Sequence, residues 1–103
     1  MEYRILRTDK ADAQIRDIIF YRAELTGSNS AALELLKHLE AGLSQLSLFP
    51  DSGFPPRYQA LRNRGYRVLI VEEYLFFYKA DHRSKTVTIY AAVNGRMDYR
   101  NLL

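Results

Sequence analysis

The sequence has no cysteine and no tryptophan, and its only histidines, His38 and His82, stand far apart. Without cysteine there is no disulfide framework, and without a Cys/His cluster there is no zinc site, so no metal or other cofactor is expected. The apolar runs are a few residues long, well below the ~18 that a membrane-spanning helix needs, and the first ten residues lack the apolar core of a signal peptide. These absences predict a protein of the reducing cytoplasm with no membrane partner.

The remaining composition predicts one domain, residues 1–103. The chain of 103 residues is 48% hydrophobic and 26% charged, with no internal break in composition. A chain of this length and hydrophobic content can form one core. Its net charge of +3 is unevenly placed, because residues 1–50 hold six Lys/Arg against seven Asp/Glu and residues 51–103 hold nine against five. The basic excess therefore lies entirely in the second half.

Arginine dominates this basic half. Arg57, Arg62, Arg64 and Arg67 fall within eleven residues that contain no acidic residue. Guanidinium groups make bidentate contacts with phosphate and carboxylate, so the segment is a candidate anion-binding site. The alternative is a solvated basic sheet edge that discourages aggregation.

The first half predicts a strand followed by a helical hairpin. Residues 2–7 indicate a strand that runs into a helix N-cap at Thr8-Asp9. Apolar residues recur at helical spacing over residues 10–26, and Gly27 supplies a stop. A second helix opens after Ser28-Asn29-Ser30 and carries a leucine stripe that ends at Phe49-Pro50. The short connection implies that the two helices are antiparallel.

The second half predicts an antiparallel meander. Four runs rich in β-branched and aromatic residues, bounded by polar turns, are interpreted as strands at residues 58–62, 65–71, 74–81 and 85–93. The predicted fold class is α+β, with an N-terminal strand and an antiparallel helical hairpin that covers one face of the sheet.

The predicted sheet is apolar on both faces at residues 68–71 and 74–78, although two helices can cover only one. The other face could be covered by the chain's own loops, by a second copy, or by a partner chain. For a partner, period-two geometry offers two alternative contact sets. The first is Leu69, Val71, Leu75 and Phe77, and the second is Val68, Ile70, Phe76 and Tyr78.

Four segments carry a resemblance to a known family. They are the leucine-rich helix that closes on Phe49-Pro50, the glycine-preceded Tyr66-Arg67, the strand YLFFYKAD, and the ending GRMDYRNLL. In this order they resemble the RelE/ParE family of bacterial type II toxins over nearly the whole chain. The resemblance implies a toxin that inhibits growth, has a role in plasmid stabilisation, and is held inactive in an oligomer with a cognate antitoxin, whose C-terminal segment wraps around it as extended chain and helix.

The resemblance leaves two targets open. RelE-like members cleave mRNA in the ribosome, which would make the protein an endoribonuclease with Arg67 and Arg96 on the RNA backbone and Tyr99 orienting or deprotonating the attacking hydroxyl. ParE-like members act on DNA gyrase without a known catalytic site. Residues 44–64 lack the lysines of RelE, and no histidine follows His82, so the ParE-like interpretation is favoured. A third hypothesis is a non-toxic basic module that binds nucleic acid.

The last residues raise a geometric question. Arg67 and Arg96 can form one target site, together with Arg57, Arg62 and Arg64, only if the two strand ends lie on the same edge of the sheet. In that case Asp98 is expected to orient Arg96, and Tyr99 to lie beside it. The alternative is that Arg96, Asp98 and Tyr99 only pin the tail to the sheet.

Overall fold

A computed structural model describes residues 2–97 and residue 99. The elements are, in order, β1 (Arg4–Arg7), α1 (Asp9–Thr26), α2 (Asn29–Leu48), α3 (Gln59–Asn63), β2 (Arg67–Val71), β3 (Tyr74–Asp81) and β4 (Thr86–Asn94). The predicted order of strand, helical hairpin and meander is confirmed. None of the helices in the described part of the chain is both long and apolar enough to cross a membrane.

Side-chain caps fix the ends of the helical hairpin where the sequence predicts them. The Thr8 hydroxyl accepts a hydrogen bond from Ala11 N at 3.0 Å and so caps α1. Gly27, with φ 64°, ends α1 in the left-handed conformation that glycine adopts without steric cost. Ser28 then caps α2 by accepting from Ser30 N at 3.2 Å. Two caps around one glycine make the connection short and the helices antiparallel.

The sheet has the order β1-β4-β3-β2 and is mixed. β2, β3 and β4 form the predicted antiparallel meander, whereas β1 pairs in parallel with the first half of β4. A parallel neighbour is possible here because the helical hairpin separates β1 from β4 and supplies the long crossover that parallel strands require. β1 therefore covers Thr86 to Ile89 and leaves the second half of β4 without a strand on that side.

The prediction of a strand at residues 58–62 is wrong, because these residues form most of the short helix α3. Leu61 N and Arg62 N both donate to Tyr58 O, at 3.1 and 3.2 Å, which closes a helical turn. Leu61 is 1% exposed and packs on the sheet face opposite α1 and α2. A run of five residues with two apolar side chains has no period long enough to distinguish a strand from one helical turn.

Two apolar clusters lie on the two faces of the sheet. The helix-side cluster joins both long helices to the sheet, with Ile15, Leu39 and Phe76 among its buried members. On the opposite face, called the second face below, the chain covers itself. Its buried members are Leu61, Tyr66, Val68, Phe77, Ala91, Val93 and Tyr99. Of the predicted alternatives, cover by the chain's own segments is therefore confirmed.

The β2–β3 turn is tied to both long helices by charge. Arg22 on α1 donates to Glu72 at 2.9 Å and to Glu73 at 2.7 Å, and His38 Nδ1 on α2 lies 2.7 Å from Glu72 Oε2. The hydrogen bonds from His38 and Arg22 hold the pKa of Glu72 below its ordinary value. Glu72 also has φ 55°, an uncommon conformation for a non-glycine residue, which these partners help to retain.

Candidate functional site

Two of the predicted anion-binding arginines hold the chain's own backbone. Arg62 Nη1 donates to Pro56 O at 2.8 Å and to Arg57 O at 2.9 Å. Arg67 Nη2 donates to Asp51 O at 2.8 Å, and its Nε is buried with no hydrogen-bond partner among the described residues. A guanidinium has five N–H donors, so these bonds do not exhaust either side chain. Arg62 and Arg67 therefore fix loops and still present positive charge.

Two further predicted arginines lie over tyrosine rings of the second face. Arg57 Cζ is 5.0 Å from the ring centroid of Tyr58 and 5.3 Å from that of Tyr99. Arg64 Cζ is 5.2 Å from the ring centroid of Tyr66. Such cation–π contacts stabilise by about 0.5–1 kcal/mol at exposed sites and hold each guanidinium at the surface.

Lys79, which was not among the predicted site residues, joins this group. Its Nζ is 4.4 Å from the ring centroid of Tyr66 and 5.5 Å from that of Tyr90. The two rings meet edge to face, with centroids 5.6 Å apart. Period two from Phe77 places Lys79 on the same face, so its position was readable once the strand was assigned.

An open cavity of about 240 Å³ lies at the rim of this basic surface, beside the start of β2. Arg62, Tyr66 and Arg67 line it together with Asp51, Pro55, Gly65 and Ala80. Four of the five predicted anion-binding arginines therefore lie between the loop before α3 and the first residue of β2. Only Arg96 is elsewhere.

The condition under which Arg67 and Arg96 could form one site is not met. β2 and β4 run in the same direction because each is antiparallel to β3. Arg67 opens β2 opposite Tyr78, whereas Arg96 follows the end of β4, where Asn94 lies opposite Tyr74. The intervening residues of β3 separate these positions by roughly 14 Å at about 3.4 Å per residue. The two arginines lie at opposite ends of the sheet.

Tyr99 is a buried residue. Only 3% of it is exposed, and its ring lies 4.8 Å from Phe77 and 5.0 Å from Tyr58 between centroids. These contacts agree with the alternative in which the tail is pinned to the sheet. Asp98, which was expected to orient Arg96, lies outside the described residues. Arg96 N itself donates to Asn94 Oδ1 at 2.9 Å in the turn that ends β4.

The two predicted partner-contact sets do not correspond to the two faces. Direct pairing places Val68 with Phe77 and Ile70 with Leu75, so residues of both sets share the second face. The helix-side face carries the other four residues, which are Leu69, Val71, Phe76 and Tyr78. The grouping is wrong because odd-numbered residues of β2 lie opposite even-numbered residues of β3, so one face carries odd positions of one strand and even positions of the other. Ile70, at 49%, is the only one of the eight that is exposed.

The loop after α2 contains a network that the sequence did not reveal. The Tyr78 hydroxyl donates to Pro50 O at 2.8 Å and accepts from Gly53 N at 3.0 Å, and burial raises the pKa of Tyr78. Nearby, the Tyr3 hydroxyl lies 2.6 Å from His82 Nδ1. These bonds hold the loop against the sheet end at which β2 begins, and thereby position the arginines described above.

A groove of about 440 Å³ runs between α1 and the second half of β4, which pairs with β3 but has no strand on the β1 side. Ala92 N, which points away from β3, donates to Gln14 Oε1 at 2.9 Å, so a side chain occupies the place of a strand. Tyr21, 58% exposed, and Met97, 49% exposed, line the groove and leave apolar surface open. The described residues include no group of histidines and carboxylates that could hold a metal ion.

Comparisons with known proteins agree with this geometry. A family model described as the ParE toxin of type II toxin-antitoxin system, parDE, matches residues 5–99. A solved structure of a chromosomal ParDE toxin–antitoxin system from P. aeruginosa is similar, with TM-score 0.70 and 18% identity over 90% of this chain and 96% of that one. A chain of the RelBE2 toxin–antitoxin complex from Mycobacterium tuberculosis is also similar, with TM-score 0.63 and 18% identity over 91% and 99%.

At this identity, the likeness to the solved structures shows the fold alone, and no curated protein sequence matches. The family model, however, spans nearly the whole chain, including most of β1, the helical hairpin, all three strands of the meander and Tyr99. The resemblance that the sequence motifs indicated is therefore confirmed, and the chain belongs to the ParE toxin family of type II toxin–antitoxin systems.

Proposed function

We propose that this toxin acts on DNA gyrase by binding and not by catalysing RNA cleavage. The separation of Arg67 from Arg96 carries the proposal. A ribonuclease of the RelE type would need both guanidiniums near one phosphate, where they would stabilise the charge of the transition state. Here they lie at opposite ends of the sheet, with Arg67 bonded to the Asp51 carbonyl.

The environment of Tyr99 supports the same choice. A residue that deprotonates a 2′-hydroxyl must come within hydrogen-bond reach of it, about 2.6–3.2 Å. Tyr99 is 3% exposed, between Phe77 and Tyr58 and next to Arg57. Substrate would reach the Tyr99 hydroxyl only after these contacts opened. The position of Tyr99 therefore fits a packing role in the second face and does not fit a proton acceptor.

The target is tested with purified toxin in two parallel assays. With gyrase and DNA, we expect inhibited supercoiling and accumulation of cleaved DNA. With ribosomes programmed with mRNA, we expect no new cleavage. Cleavage of ribosome-bound mRNA, together with unaffected gyrase, would overturn the proposal and establish the endoribonuclease alternative.

We further propose that the antitoxin binds the groove between α1 and β4. The unpaired edge of β4 offers backbone hydrogen-bonding groups to an extended chain, and the exposed side chains of Tyr21 and Met97 offer apolar contacts. A segment that displaces Gln14 from Ala92 N would continue the sheet where β1 ends. The sheet residues predicted earlier contribute less, because among them only Ile70 is exposed.

Paired variants test this second proposal. Tyr21→Ala removes an exposed aromatic ring from the groove, and Phe49→Ala removes one that is 63% exposed at the C-terminal end of α2. We expect the first to weaken binding of the cognate antitoxin at least tenfold and the second to change it less than twofold. Hydrogen exchange should show new protection at residues 90–94 in the complex. Protection confined to residues 66–78 would contradict the groove and favour the sheet face.

A further inference from the structure

The charged residues of the fold are divided between its two sides. The helical layer, residues 9–48, contains six acidic and four basic residues. The segment 52–66, which crosses the second face as α3, contains three arginines and no acidic residue, whereas Arg67 pairs with Tyr78 on the helix-side face. Lys79 adds a fourth cation to the second face. The second face and its rim therefore form a positive surface on a molecule whose helical side is slightly negative.

The way these cations are held indicates what they can bind. Lys79 Nζ and Arg64 Cζ lie 4.4 and 5.2 Å from the ring centroid of Tyr66, so both cations border the same ring. Tyr66 is 6% exposed and is covered by them. A nucleic acid base cannot stack on a ring that is already covered, so recognition of unstacked single strands, which uses open aromatic platforms, is disfavoured. What the surface presents outward is positive charge.

Cations that border one covered ring, without base-reading groups, suit the phosphate backbone of a duplex. Duplex DNA carries one negative charge per ~1.7 Å of helix axis, so neighbouring phosphates can meet several cations on one protein face. Contacts of this kind position a protein without reading sequence. We infer that the second face, through Lys79, Arg64 and Arg62 at its rim, is a sequence-independent binding surface for the backbone of duplex DNA.

Lys79 provides the sharpest test, because its ammonium group makes the two cation–π contacts with Tyr66 and Tyr90, and its removal breaks no hydrogen bond to the backbone of the described residues. The matched control is Lys37 on α2, an exposed lysine of the helical layer. Affinity for a duplex of ~20 base pairs without a chosen sequence is measured by fluorescence anisotropy from ~50 to ~200 mM salt for wild type, Lys79→Gln and Lys37→Gln. Thermal unfolding of each variant shows whether its fold is intact.

The wild type should bind with a dissociation constant of roughly 10⁻⁴–10⁻⁶ M near physiological salt, as non-specific DNA binders do. Lys79→Gln should lower the slope of log affinity against log salt by about 1, and Lys37→Gln should leave it unchanged. Equal slopes for all three proteins, or no binding at low salt, would overturn the inference. Tighter binding to an RNA duplex or to single strands would overturn the choice of DNA. Gyrase is absent from the assay, so its outcome is independent of the proposed target.

Discussion

Two substitutions of Tyr99 distinguish a structural role of this residue from a catalytic one. Tyr99→Ala removes a ring whose neighbours Phe77 and Tyr58 lie 4.8 and 5.0 Å away, at a position that is 3% exposed. Deletion of a buried aromatic ring costs about 3–5 kcal/mol, and ~1 kcal/mol lowers the melting temperature of a domain of this size by about 4–8 °C. We therefore expect Tyr99→Ala to lower it by at least ~12 °C. Tyr99→Phe keeps the ring and should cost less than ~1 kcal/mol.

The functional outcome is measured by plating after induction without antitoxin, with soluble expression confirmed. Tyr99→Phe should remain as toxic as the wild type, because the ring remains in place. If the hydroxyl took part in proton transfer, its removal should reduce mRNA cleavage by about 10²–10⁴-fold and abolish toxicity. A folded, soluble and non-toxic Tyr99→Phe variant would therefore refute the structural assignment. A melting temperature of Tyr99→Ala within ~2 °C of wild type would refute the burial argument.

Three further substitutions test the loop after α2 and the β2–β3 turn. Tyr78→Phe leaves Gly53 N–H and Pro50 C=O without their buried partner and should cost about 1–3 kcal/mol in denaturant unfolding; a loss below ~0.3 kcal/mol would contradict the network. Gly53→Ala places a methyl group against the Tyr78 hydroxyl and should lower the free energy of unfolding by about 1–3 kcal/mol. Equal stability of the variant and the wild type would contradict a tightly packed loop. Glu72, with its pKa held below the ordinary value chiefly by His38, stabilises the fold above about pH 4.5 and loses this contribution as pH falls through its folded pKa. The difference in unfolding free energy between wild type and Glu72→Gln should therefore be largest above about pH 4.5 and should narrow as the pH falls below that value, and a difference that does not change with pH would rule out the ion pair as its source.

The sequence predicted the helical hairpin well because several independent signals agree there. The leucine stripe of α2 has the period of a helix, Ser28 is a capping residue, and Gly27 supplies the left-handed stop. By contrast, residues 58–62 offer one turn of chain and Leu61 as the only fully buried anchor. Short segments take their conformation from the surface they cover, and the second face was not visible in the sequence.

Strand geometry alone determines both the separation of Arg67 from Arg96 and the grouping of side chains on the two faces of the meander. Two successive reversals make β2 and β4 run in the same direction, so Arg67 at the start of one and Arg96 after the end of the other must lie at opposite ends. Similarly, the two-residue connection between β2 and β3 fixes Val68 opposite Phe77. β4 contains a bulge at Tyr90, between the pairs Phe77–Ala91 and Tyr78–Ile89, and the alternation of apolar residues along the chain gave no sign of it.

The meander is apolar on both faces, and the structure shows what covers the face that the two long helices leave open. In the sequence this pattern indicated a surface awaiting a partner, but α3 and Tyr99 fill the second face. The large exposed apolar side chains lie mainly elsewhere, including Phe20 and Leu25 of α1 at 65% and 67% exposed. The proposed antitoxin groove thus borders α1, whereas the proposed DNA surface lies across the sheet from it. An antitoxin that blocks DNA contact directly must therefore continue past the edge of β4 onto the second face, and one confined to the groove must inhibit by another contact.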